Sequence, residues 1–283
     1  MNNFLECKIS LQGGIGDCIR VLSSICIPQY YKTYGCIVYV TYGGKERNDC
    51  GYTQDLKKYI LSRNPAFSWI NPEFFDQLNV PDVTINPGKL VENFDHSITP
   101  NMLPINLLNS EQRVYDILRN NKFKIGIQFR QKAINGWIDK KIWSVEYYKQ
   151  LVKDILSYND SYIIYIIDIP GTIFPDEWKT NNRIVICDSY NISQVIYLIQ
   201  QMNFFISTDS WMKYIAKWIN IPQIILVCYL ANIPNMIKGC FRGFDIPNIS
   251  ILGANGDDVF CKNVNEIKPD IVFKEFKRSY QLL

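Results

Sequence analysis

The chain has 283 residues, more than one compact core usually holds, so two domains of ordinary size are expected. Apolar residues make up 47% and charged residues 20%, which excludes a disordered chain, and a net charge of only +3 argues against the clustered basic face of a nucleic-acid binder. With a single histidine, His96, acid–base work falls to carboxylates, Lys, Tyr or Cys, and a multi-histidine metal site is excluded.

In chain order, residues 5–12 predict a strand that runs into Gly13-Gly14-Ile15-Gly16-Asp17. Ile19, Leu22, Ile25 and Cys26 then recur at helical spacing up to Tyr31. A second strand is expected at 36–41, a helix at 53–63, and short strands near 66–70 and 82–85. Residues 86–106 are rich in Asn and Pro and show no period. A helix over 107–120 leads to a domain boundary near residue 120, giving an N-terminal domain of 1–120 and a C-terminal domain of 121–283.

The second half repeats the alternation more cleanly. Strands are expected at 123–129, 161–167, 183–187, 203–207, 222–229 and 247–252. Helices are expected at 144–157 with Ser144 as N-cap, at 191–201, at 209–219, and within 264–280. Strand–helix alternation calls for parallel sheets, and the uniformly apolar run at 161–167 suits a strand covered on both faces. The fold class is therefore α/β, two Rossmann-like domains whose sheets face each other across a ligand-binding cleft.

The nine cysteines include no C-x-x-C pair, and several lie in apolar runs, which fits small buried hydrophobes in a reducing compartment such as the cytoplasm. Residues 1–6 lack the pattern of a signal peptide, and no run reaches the roughly 18 apolar residues of a membrane helix.

Three segments carry chemistry. Gly13, Gly14 and Gly16 let a backbone turn tightly and approach a ligand, presenting Asp17 at a helix start; Asp17 serves there either as a reactive carboxylate or as a cap. Ile19 stands where a dinucleotide fingerprint needs glycine, so that motif is excluded. After the strand ending at Phe129, Arg130, Lys132, Lys140 and Lys141 crowd one loop, suited to a diphosphate or to solvent. Trp137 and Trp143 beside them suit stacking on a base or packing in a core. Finally, the strand 203–207 delivers Asp209 and Ser210 into a helix start, which favours an anion, or a plain cap by Asp209.

These segments, in this order, resemble glycosyltransferase family 9, the heptosyltransferase-like enzymes of GT-B fold. Gly13, Gly14, Gly16 and Asp17 match that family's G-G-x-G-D turn. Lys141, Trp143, Ser144, Glu146 and Tyr148 are similar to its K-x-W-[PS]-x-E-x-[FY] segment. Asp209 to Ala216, followed by Ile221-Pro222, resembles its D-[ST]-G-P-M-H-L-A-A segment. Trp211 and Met212 replace the Gly-Pro of that pattern, and Tyr214 replaces its His.

The resemblance implies an inverting, metal-independent transfer from a nucleoside-diphosphate sugar, with no cofactor, to a glycan, lipid-linked glycan or protein acceptor. It implies Asp17 as base, with Gly13, Gly14, Gly16, Arg130, Lys141, Asp209, Ser210, Lys213 and Tyr214 around the donor. Asp209 would orient Ser210, backbone N–H groups or a cation, since a carboxylate repels phosphate, and Asp168 would hold the ribose hydroxyls. A nucleotide-sugar epimerase and a non-catalytic binding module stay open as alternatives. Phe273 and Phe276 alternating with Lys274, Lys277 and Arg278 suit either contact with an anionic membrane surface or a solvated helix packed by its aromatics.

Overall fold

A computed structural model describes residues 6–11, 18, 37–42, 57, 67–80, 112–129, 139–168, 172–190, 192–228, 247–253 and 261–281. The glycine turn at 13–17, the strand expected at 82–85 and the loop at 130–138 lie outside these residues. The chain divides into two compact units, one of residues 1–106 with 191–193 and one of 107–190 with 194–283.

In the first unit, β1 (Glu6–Leu11), β2 (Ile37–Tyr42) and β3 (Phe67–Trp69) form a parallel sheet in that order. Glu6 lies opposite Ile37, and Val38 opposite Phe67. Ile9, Leu11 and Val40 are buried. A short helix, α1 (Pro72–Phe75), follows β3 and was not expected. Its signals are local: Pro72 in the first turn, where its missing N–H costs nothing, and Glu73 beside the helix N-terminus. Lys8 reaches from β1 to donate to the carbonyls of Phe75 (3.2 Å) and Leu78 (3.1 Å), tying the segment after β3 to the first strand.

The second unit holds α2 (Gln112–Leu118), β4 (Phe123–Gln128), α3 (Val145–Tyr158), β5 (Tyr162–Ile167), α4 (Asp176–Lys179) and β6 (Ile184–Cys187). It continues with α5 (Ile192–Gln200), β7 (Phe204–Thr208), α6 (Met212–Trp218), β8 (Gln223–Leu226), β9 (Ile249–Leu252) and α7 (Pro269–Tyr280). The six strands are all parallel, in the order β6-β5-β4-β7-β8-β9. From β4 the chain winds outward through β5 to β6. It then crosses back to β7 and winds the other way to β9. The winding reverses between β4 and β7, the place where open α/β sheets bind ligands beyond their strand ends.

Every residue of β5 is buried, as the apolar run predicts for a strand with both faces covered. Leu151, Val152 and Ile155 of α3 and Val272 and Phe276 of α7 share one core with Ile125, Ile164, Ile206 and Ile224 of the sheet. Each such side chain contributes about 1.5–3 kcal/mol when fully buried. The buried Tyr165 of β5 keeps its hydroxyl satisfied, donating to the Ile117 carbonyl (2.8 Å) and accepting from the Asn120 amide (2.9 Å). That pair ties α2 to the sheet. α4 was also not expected, although Pro175, Asp176, Glu177 and Lys179 carry the charge order of a one-turn helix. It seats Trp178 against Phe129, ring centroids 5.0 Å apart.

The aromatics of α7 face inward: Phe276 is fully buried and Phe273 packs against the core, while Lys274 is exposed. Among the described residues no helix is long and apolar enough to cross a membrane.

Gly253 ends β9 with φ +94°, and a Cβ there would lie 2.1 Å from the Val227 carbonyl oxygen. Backbone cannot yield as a side chain does, so Gly253→Ala is expected to lower stability by about 1–3 kcal/mol. A urea midpoint unchanged from wild type would contradict this.

Candidate functional site

β7 is a buried strand whose sequence turns polar at its carboxyl end. The Asp209 N–H still donates to the Leu226 carbonyl (3.0 Å), so the backbone follows β8 one residue past the strand. Ser210 then donates to Oε1 of Gln128 (2.7 Å), the last residue of β4, and its Oγ accepts from the Met212 N–H (3.3 Å). One hydroxyl thus ties the ends of the two strands that flank the winding reversal.

The helix expected at 209–219 begins later, at Met212, with Trp211 in the capping position and no side-chain cap. Asp209 is therefore not the cap that the simpler sequence reading allowed. Its two carboxylate oxygens go to ammonium groups instead: Oδ2 to Lys141 Nζ at 2.5 Å, and Oδ1 to Lys213 Nζ. Of Ser210, the backbone N–H groups and a cation, the three partners expected for Asp209, its carboxylate meets the cations.

Burial alone would push the Asp209 carboxyl up, but the Lys213 and Lys141 charges outweigh it and hold Asp209 well below the usual carboxylate range. Lys213 is 1% exposed and its Nζ lies 4.8 Å from the centre of the Tyr214 ring, a cation–π contact. Gln223 on β8 donates to the Lys213 carbonyl (3.2 Å), fixing the turn that carries it.

Lys141 closes a 3-10 turn, Asp139–Lys141, in the loop after β4. That turn is pinned from the far end of the chain. Cys228 Sγ donates to the Lys140 carbonyl (3.2 Å). Asn265 donates to the Ile142 carbonyl (3.0 Å) and accepts from the Ser144 N–H (2.7 Å). Ser144 stands at the N-cap of α3 as expected, yet its side chain makes no capping bond. Trp143 is fully buried and donates from Nε1 to the Ile267 carbonyl (2.8 Å), so it packs in the core and is not free to stack on a ligand.

Asp168 follows β5, on the other side of β4 from Asp209, and is 8% exposed. Its Oδ2 accepts from Thr172 (2.9 Å). The structure thus brings Lys141, Asp209, Ser210, Lys213 and Tyr214 together and places Asp168 two strands away. Gly13, Gly14, Gly16, Asp17 and Arg130 lie outside the described residues. Gln128, Asn265 and Cys228 were not singled out from sequence. Gln128 carried a signal, a lone amide ending the apolar strand β4; Asn265 and Cys228 carried none.

No protein-family profile and no curated protein matches the sequence. Solved structures do match in fold. A family 9 glycosyl transferase from Veillonella parvula is 11% identical, with 100% of this chain and 99% of that one covered and a TM-score of 0.60. Escherichia coli heptosyltransferase WaaC, solved with ADP, is 11% identical over 98% of both chains, TM-score 0.56. The iron-containing dodecameric glycosyltransferase TibC of enterotoxigenic E. coli is 12% identical, covering 99% of this chain and 77% of TibC, TM-score 0.59. Among the described residues no three His, Cys, Asp or Glu side chains come together as a metal would need. With its parallel sheets and its two compact units, the chain has the GT-B-type α/β fold of the family 9 glycosyltransferases.

Proposed function

We propose that the chain is a glycosyltransferase that moves a sugar from a nucleoside-diphosphate sugar to a hydroxyl of a glycan, lipid-linked glycan or protein, with inversion and without metal. The observation that carries this reading is the cationic cluster of Lys141, Asp209 and Lys213 at the winding reversal of the second sheet. A diphosphate fits there on charge, and the heptosyltransferase with the same fold was solved with ADP.

In the reaction, Asp17 takes the proton of the acceptor hydroxyl as its oxygen attacks the anomeric carbon. The bond from that carbon to the diphosphate oxygen breaks, and the nucleoside diphosphate leaves with the electron pair. Lys141 and Arg130 stabilise the charge that grows on it, by electrostatics arranged before the reaction. Gly13, Gly14 and Gly16 let the backbone approach the reacting groups, Ser210 and Tyr214 shape the donor side, and Asp168 holds the ribose hydroxyls. The buried thiols of Cys187 and Cys228 favour a reducing compartment, the cytoplasm. A binding module of the same fold is the second reading, favoured by Trp211 and Tyr214 standing where the family has Gly and His.

A screen of nucleotide sugars for release of the nucleoside diphosphate separates the two, since only the enzyme releases it. Lys141→Ala is expected to weaken nucleoside diphosphate binding by about 1.5–3 kcal/mol, the range for a hydrogen bond to a charged group. Calorimetry with ADP, UDP and GDP checks it, and unchanged affinity in that variant would remove the donor site from this cluster. Transfer is expected to persist in EDTA; activity lost to chelator and restored by a divalent ion would overturn the metal-free step.

A further inference from the structure

Three charged side chains meet at the tip of β7, and they differ in how far they reach solvent. The Lys141 side chain is 16% exposed, Asp209 11% and Lys213 2%. Lys213 is too enclosed to meet a ligand, whereas Lys141 is partly open. A Lys141–Asp209 pair alone would be neutral. An anion arriving at it would meet a lysine whose charge is already answered by a carboxylate at 2.5 Å. Lys213 changes that balance. It stands four residues beyond Asp209, takes the other carboxylate oxygen, and leaves the trio with one net positive charge.

We propose that Lys213 is a positioning residue that neutralises Asp209, so that Lys141 keeps its charge for an anionic ligand of the diphosphate class. This rests on the donor site proposed above and deepens it. Lys213 stands beside Tyr214 in the chain. Tyr214 holds the Lys213 ammonium from its ring face, at 4.8 Å, while Asp209 holds it from the carboxylate side. Asp209 in turn fixes Lys141, so both lysines are oriented through one carboxylate.

The test is a charge-balance cycle read by calorimetry with ADP, UDP, GDP and inorganic pyrophosphate, each protein checked for folding by circular dichroism. Lys213→Met keeps the length of the side chain and removes its charge, and is expected to weaken binding about tenfold, as loss of a charge-assisted contact does. Adding Asp209→Asn to it removes the carboxylate as well and returns Lys141 its charge. The double variant is then expected to bind more tightly than Lys213→Met and to approach wild type. A packing role for Lys213 predicts the opposite, a double variant at least as weak as the single one. Lys213→Gln, which can still donate to Asp209 but carries no charge, gives the same reading if the methionine variant does not fold: loss of binding supports the proposal, and wild-type binding overturns it.

The outcomes also separate this proposal from the function it rests on. Nucleotides bound equally by wild type and Lys213→Met overturn the charge role and leave the donor site standing. Pyrophosphate bound in a Lys213-dependent way, with no nucleotide bound, supports the charge role and overturns the nucleotide-sugar reading. Wild type that binds none of the four overturns both.

Discussion

Asp209→Asn is expected to destabilise the protein by about 3–5 kcal/mol, the cost of removing one partner from a buried ion pair. Asparagine keeps the shape of the side chain and one acceptor, but no charge. Lys213, 2% exposed, and Lys141 would then face each other across a neutral amide. Charges enclosed this way are expensive unless paired, because water no longer solvates them. Urea denaturation of both proteins at neutral pH measures the difference, and a gap under about 1 kcal/mol would mean that the trio is solvated after all.

The same pair of curves carries a pH dependence. The two lysines hold the folded Asp209 carboxyl below its ordinary value, so its ionised form is favoured by folding. Its contribution is whole above the pH at which an unfolded aspartate titrates, about 3.9, and is lost as pH falls below that toward the folded value. Wild type and Asp209→Asn should therefore converge in stability in acid and stay apart at neutral pH.

Asp17→Asn is expected to slow sugar transfer by about 10²–10⁴-fold, the usual contribution of a general base. The acceptor hydroxyl has a pKa far above neutrality, so its oxygen attacks only as the proton leaves. Asparagine cannot take that proton, yet it preserves the size of the side chain beside Gly16. Donor affinity should stay within a few-fold of wild type, because the proposed diphosphate site lies on the loops after β4 and β7. Single-turnover transfer rates beside donor titrations separate the two effects. Transfer by Asp17→Asn at the wild-type rate would take Asp17 out of the mechanism.

The two predictions draw on different kinds of information. That Asp17 is a reactive carboxylate or a cap was legible in the chain as written, because a glycine turn between a strand and a helix is a local pattern; its proposed role as base comes from the resemblance to family 9. So were most of the elements. The apolar run that became β5, the helical spacing of Leu151 and Ile155 in α3, and the polar end of β7 are all periodicities that burial imposes on neighbouring residues. The two short helices escaped because one turn is too brief to show a period, although their capping and charge signals were present.

By itself, then, the sequence determined the strand–helix alternation, the parallel sheets and the residues with chemistry to offer. It also placed a carboxylate, a serine and a lysine near the tip of one strand. Only the tertiary structure decided which charges meet. Lys141 and Asp209 are 68 residues apart, and they pair because β4 and β7 are neighbours in the sheet although β5 and β6 lie between them in the chain. Lys213, which the resemblance put around the donor, is enclosed by the fold against Asp209 and Tyr214. Ser144 reads as a cap, and the fold gives its N–H to Asn265, 121 residues away. The physical reason is common to the two long-range pairs, Lys141 with Asp209 and Ser144 with Asn265. Periodicity records how each residue is buried relative to its neighbours along the chain, whereas strand order is settled by how crossovers and helices pack. Strand order alone brings distant loops to the same end of a sheet.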